Sequence, residues 1–150
     1  MNNILRLQSR PVIFLSCLIL LIGEGATFSG CKKDKEQIPD VYVDIYLYAT
    51  DPAFSPLNVI SGYAYVAGGS KGILVYRKSQ NEFLAYDRHC TYKVSEGNQV
   101  VVDASGLLAV DSKCGSKFLI TDGSVNQSPA VNPLKRYQSS FDGTVLHIYN

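Results

Sequence analysis

Tryptophan is absent from this 150-residue chain, methionine occurs once and histidine twice. Charge is scarce too. Asp, Glu, Lys and Arg make up 18% of the residues, and the formal net charge is +1. The few basic residues are scattered, which excludes the electropositive stripe of a nucleic-acid-binding surface. No apolar run is long enough to span a bilayer as a helix. Beyond residue 30 no stretch keeps a helical period, and no internal repeat or low-complexity tract is present. Catalytic signatures are missing as well: no Ser/His/Asp arrangement, no phosphate-binding glycine loop, no paired-carboxylate motif and no Cys-x-x-Cys. An enzyme is not expected. What remains is a composition with ten tyrosines and regular glycines, which suits a β domain better than a helical bundle.

The first thirty residues carry an export pattern. Arg6 and Arg10 precede an apolar run from Pro11 to Gly23, and small residues then lead through Phe28-Ser29-Gly30 to Cys31. The composition switches at once to Lys32-Lys33-Asp34-Lys35-Glu36-Gln37. The run is the length of a signal-peptide core rather than of a membrane span. A cysteine at the junction of apolar core and polar linker resembles a bacterial lipoprotein signal, in which that cysteine becomes the lipid-bearing N-terminus. Phe28 stands where leucine is usual. The alternatives are an uncleaved signal anchor or a plain secretory signal. The lipoprotein reading divides the chain into a signal peptide (1–30), a polar tether (31–40) and a β domain (41–150), held at a membrane of the bacterial envelope by lipid on Cys31. The partner it would meet there is an unnamed envelope protein.

Within the β domain, Val43, Ile45, Leu47 and Ala49 alternate with Tyr42, Asp44, Tyr46 and Tyr48. That period of two predicts a strand with one buried face. Asp51 to Val59 reads as irregular, because Pro52 and Pro56 break pairing. Gly62–Val66 and Ile73–Arg77 flank Gly68-Gly69-Ser70-Lys71-Gly72, a hairpin signal. Further strands are predicted over Phe83–Tyr86, Val100–Val102, Leu107–Val110, Phe118–Ile120 and Val145–Tyr149, each set off by turn residues. Short strands with such frequent turns predict an all-β antiparallel sandwich or barrel.

From Phe83 to Tyr149 the order of motifs resembles the Rieske domain family. Cys90-Thr91-Tyr92 is followed by Asp111-Ser112-Lys113-Cys114-Gly115-Ser116-Lys117-Phe118, then Asp122-Gly123, Ser128-Pro129-Ala130, Pro133-Leu134-Lys135-Arg136-Tyr137 and a closing Asp142-Gly143 hairpin. The family has Cys-x-His in the first loop and Cys-x-x-His before Gly-Ser-x-Phe/Tyr in the second, and it holds a [2Fe–2S] cluster with two Cys on one iron and two His on the other. Here Cys90 keeps its family identity. Tyr92 takes the first His position, Asp111 the second Cys position and Cys114 the second His position. A phenol is a poor substitute for imidazole, and a carboxylate is a hard ligand where iron–sulfur chemistry uses thiolate. The expectation is therefore a Rieske-like fold with no cofactor, acting as a binding or structural module. The alternative is an electron-transfer protein whose [2Fe–2S] cluster has atypical ligands at Cys90, Tyr92, Asp111 and Cys114.

The resemblance also implies that the two loops converge, so that Cys90 and Cys114 can pair as a disulfide. Closing a loop of about 25 residues would stabilise the fold by roughly 3–4 kcal/mol. A metal reading with His89, Cys90, Asp111 and Cys114 uses residue types suited to zinc or iron. It ranks below the disulfide, because neighbouring side chains in extended chain point to opposite sides, and no metal is assigned. Ser116 is expected to hydrogen-bond within its loop, and Phe118 to lie in the core. Gly115 and Gly123 are expected at turns, with Asp103, Asp111 and Asp122 in turn or capping roles.

Overall fold

The computed structural model describes residues 36–48 and 50–150. The expected signal peptide and Cys31 lie outside the described residues.

Ten strands form two antiparallel sheets. Strands β1 (Asp44–Tyr48), β2 (Tyr63–Val66), β3 (Ile73–Arg77), β4 (Phe83–Asp87), β9 (Arg136–Phe141) and β10 (Val145–Tyr149) make one sheet in the order β1-β10-β9-β4-β3-β2. Strands β5 (Val101–Val102), β6 (Leu108–Val110), β7 (Lys117–Leu119) and β8 (Val125–Gln127) make the other, in sequence order. The all-β antiparallel class expected from the turn spacing is the one found.

The first strand behaves as its alternation requires. Val43 and Leu47 are buried, while Tyr42, Tyr46 and Tyr48 are exposed. The glycine-rich hairpin joins β2 to β3, with Tyr63 opposite Tyr76 and Val66 opposite Ile73. Three elements carry more order than their sequence suggested. Pro52–Asn58 forms a 3₁₀ helix capped by Asp51, whose carboxylate accepts from the Ala53 N–H at 2.8 Å. Strands β8 and β9 were not marked by apolar alternation, because Val125–Gln127 and Arg136–Phe141 are largely polar and pair at the sheet margins or beside partners that supply the apolar face.

β3 and β4 organise the interior. Apart from Arg77, every residue of the two strands is buried, so each strand faces a core on both sides. On one side Ile73, Val75, Phe83 and Ala85 pack with Leu47, Ala64, Tyr137, Leu146 and Ile148. Residues from β1 and β2, the two ends of the six-stranded sheet, meet in this cluster, so the sheet curls onto itself. On the other side Leu74, Tyr76, Leu84 and Tyr86 pack with Val100, Val102, Ala109, Phe118, Ile120 and Leu134. That second core seats the four-stranded sheet and the loops at its end. Each fully buried Leu, Ile or Phe adds on the order of 1.5–3 kcal/mol through apolar burial.

At the end of β4, Asp87 is wholly buried. Its carboxylate accepts from the Ser70 and Lys71 N–H groups at 2.6 and 3.2 Å, the His89 N–H at 2.8 Å and the Tyr137 hydroxyl at 2.7 Å. Gly69 is required at this clasp: it has φ +61°, and a Cβ there would stand 2.6 Å from both Asp87 Oδ2 and the Tyr137 hydroxyl.

One buried hydroxyl has no such partner. Tyr86 is fully buried, and no protein group hydrogen-bonds its phenol. Burial pushes its pKa up from the ordinary value of 10.0 to about 12. The unfolded chain therefore loses this proton first as pH rises, and stability falls from about pH 10 towards pH 12. Tyr86→Phe is expected to raise stability at neutral pH by about 1 kcal/mol, since it removes an unpaired buried polar group. It should also remove that part of the alkaline loss. Urea denaturation of both proteins at pH 7 and above pH 10 checks this.

Candidate functional site

Three loops meet at the free end of the four-stranded sheet. The first, residues 88–100, leaves β4 and carries Cys90. The second, residues 111–116, joins β6 to β7. The third, residues 128–135, joins β8 to β9. They are tied to one another by side-chain-to-backbone hydrogen bonds. The Thr91 hydroxyl donates to the Asn132 carbonyl at 2.6 Å, Gln127 Nε2 to the Gly115 carbonyl at 3.1 Å, and the Ala130 N–H to Ser116 Oγ at 3.0 Å.

The second loop is shaped by its first residue. Asp111 Oδ1 accepts from the Lys113 N–H at 2.8 Å and the Cys114 N–H at 3.3 Å. The Gly115 N–H donates to the Asp111 carbonyl at 2.8 Å, and Gly115 reverses the chain with φ +80°. These turns aim Cys114 inward. Its thiol lies 3.1 Å from Asp111 Oδ2, 3.1 Å from Ser116 Oγ and 3.8 Å from Cys90 Sγ. The donor atoms of Cys90, Asp111 and Cys114 all fall within 4.8 Å of one another. Cys90, Asp111 and Ser116 are buried and Cys114 is partly exposed.

Electrostatics distinguish the three donors. Burial pushes the Cys90 thiol well above its ordinary value, and the neighbouring Asp111 carboxylate adds to the shift. Burial acts against ionisation of Asp111 as well. The Cys114 and Cys90 thiols and the two backbone N–H groups outweigh it, so the Asp111 pKa lies below the usual carboxylate range.

The structure brings together Cys90, Asp111, Cys114 and Ser116. It does not bring in Tyr92, whose ring packs at the margin of the second core with the Lys93 ammonium 5.6 Å from its centroid. His89 points elsewhere: Nε2 bonds the Val94 carbonyl at 2.9 Å, which leaves Nδ1 to the Ser70 hydroxyl at 2.8 Å. His147 is half-exposed on β10, bonded to Asp44 at 2.7 Å and stacked between Tyr46 and Tyr149. Cys90 and Cys114 are separate thiols here. Phe118 is buried, and Asp103 and Asp122 accept from Ser105 and Ser124 at turns, as expected. The role of Asp87 was missed. Its signal was an aspartate closing the otherwise apolar strand Phe83–Tyr86.

No protein-family model matches the chain, and no curated protein sequence matches it. Solved structures do. The cyanobacterial plasma membrane Rieske protein PetC3 from Synechocystis PCC 6803 is 19% identical, with a TM-score of 0.55 over 71% of this chain and 99% of that one. A chain from the complex of oxygenase and ferredoxin in carbazole 1,9a-dioxygenase is 20% identical, with a TM-score of 0.47 over 70% of this chain and 93% of that one. The putative NADH-dependent nitrite reductase small subunit from Mycobacterium tuberculosis is 18% identical, with a TM-score of 0.42 over 74% of this chain and 97% of that one.

The residues present do not fit a Rieske cluster. Such a centre takes two thiolates on one iron and two imidazoles on the other, and both histidines of this domain are engaged elsewhere. The donors that converge between the loops are two thiols and one carboxylate, with no imidazole among them.

Ser116 joins the second loop to the third. Ser116→Ala leaves the buried Ala130 N–H without its acceptor and is expected to destabilise the domain by about 1–3 kcal/mol. Chemical denaturation measures the loss. What this chain has in common with the cyanobacterial protein is architecture: the described residues fold as a Rieske-like domain.

Proposed function

We propose that the domain works in the bacterial envelope as a lipid-anchored binding or structural module, built on a Rieske scaffold that carries no two-iron cluster. The observation that carries this reading is the position of Cys114. Its sulfur lies 3.8 Å from Cys90 Sγ and 3.1 Å from Asp111 Oδ2, at a position that the family resemblance gives to a histidine ligand. The loops are also held by bonds of their own, from Thr91, Gln127 and Ser116, so their convergence does not need a cofactor.

In an oxidising envelope the two thiols would close to a disulfide between the first and second loops. Two electrons and two protons would pass to a disulfide-bearing oxidant by thiol–disulfide exchange. Their separation of 3.8 Å must close to about 2.05 Å for that bond.

Iron and acid-labile sulfide in protein isolated without oxygen test the clusterless reading. Neither is expected. Stoichiometric iron and sulfide would overturn it in favour of an electron-transfer protein with atypical ligands. Alkylation of the exported protein before reduction should find Cys90 and Cys114 joined; two free thiols would remove the disulfide.

The anchor is tested separately. Cys31→Ser should shift the protein from the membrane fraction to the soluble fraction if lipid on Cys31 holds it there. Retention of the variant in washed membranes would favour an uncleaved anchor.

A further inference from the structure

We propose that, when its two cysteines are reduced, the domain binds a single zinc ion through Cys90, Asp111 and Cys114. This rests on the clusterless reading and extends it to what the same donors can hold. They come from two loops and converge within 4.8 Å. A tetrahedral zinc with Zn–S bonds of about 2.3 Å places its two sulfurs about 3.8 Å apart. Cys90 and Cys114 already have that separation, at 3.8 Å.

The carboxylate supplies an independent argument. Asp111 is 1% exposed, and among the described residues it forms no ion pair with Lys, Arg or His. Oδ1 is occupied by two backbone N–H groups, while Oδ2 is turned to Cys114 Sγ at 3.1 Å. Its present partners are neutral donors, and a divalent ion at this point would supply a counter-charge.

The surrounding groups also suit thiolate ligation. The Ser116 N–H donates to Cys114 Sγ at 3.4 Å. Such bonds orient metal-bound sulfur and stabilise its charge. Two thiolates favour zinc over magnesium or calcium. Cys114 is partly exposed, which gives the ion an entry path and lets water complete the fourth position. Ligation releases one proton from each thiol. The disulfide and the metal site exclude each other, because each uses both sulfurs.

The full chain, purified in detergent, reduced and stripped of metal, is titrated with Co²⁺ under argon. One Co²⁺ per chain is expected, with thiolate-to-cobalt charge transfer and the intense visible bands of tetrahedral cobalt, displaced stoichiometrically by Zn²⁺. Asp111→Asn keeps an oxygen for the backbone N–H groups but loses the charge, and it should weaken binding by roughly 100-fold. Cys114→Ser should abolish the charge-transfer band contributed by its sulfur, and Tyr92→Phe should change nothing. Prior oxidation should block binding and reduction restore it. Reduced protein that is folded by circular dichroism yet gives no tetrahedral spectrum would overturn the proposal. Equal affinity in Asp111→Asn and the parent would do so as well. Iron with acid-labile sulfide in the isolated protein defeats the clusterless reading itself, whereas a cluster-free protein that ignores Co²⁺ defeats this inference alone.

Discussion

The Asp87 carboxylate is the point on which the arrangement of this domain depends. It sits at the last residue of β4, is shielded from water and accepts four hydrogen bonds from three separate parts of the chain. A polar group so placed would be costly without hydrogen-bond partners. With them it joins the β2–β3 hairpin loop, the start of the first site loop and β9. The N–H it receives from His89 sets the direction in which the chain leaves β4. Cys90, the next residue, is thereby aimed into the second core while the His89 ring is turned to Ser70 and Val94. The chemistry of the site follows from that parity: sulfur inward, imidazole away.

The site end of the scaffold is tied together by hydrogen bonds between its loops. Ser116, Thr91 and Gln127 link the loops through backbone groups, the buried Ala130 N–H among them. Asp111 folds its own loop by accepting two N–H bonds. In a metal-dependent domain the ligands themselves perform much of this work. Here hydroxyls, an amide and a carboxylate do this work.

Burial gives the thiol pair its character. Cys90 is entirely enclosed, and its thiol is held protonated by that enclosure and by the adjacent carboxylate. A reactive cysteine is exposed and has a lowered pKa; Cys90 has neither property. Cys90 is thus a packed interior thiol beside Cys114 and Asp111 rather than an exposed, activated one.

Alternation and turn chemistry in the sequence alone determined the all-β class, the faces of β1, the glycine-rich β2–β3 hairpin and most strands, because those signals are local: period-two apolarity, Gly at positive φ and Asp at turns. The ordered motifs between Phe83 and Tyr149 likewise identified the Rieske-like fold and named Cys90, Asp111 and Cys114 as residues of its loops. Strands β8 and β9 escaped notice because their polar residues owe their place to partners distant in sequence. The role of Asp87, the exclusion of Tyr92 and His89, and the 3.8 Å approach of Cys90 to Cys114 were decided only by the tertiary structure. Each depends on which way a side chain points once separate loops are packed together, and no local spacing encodes that direction.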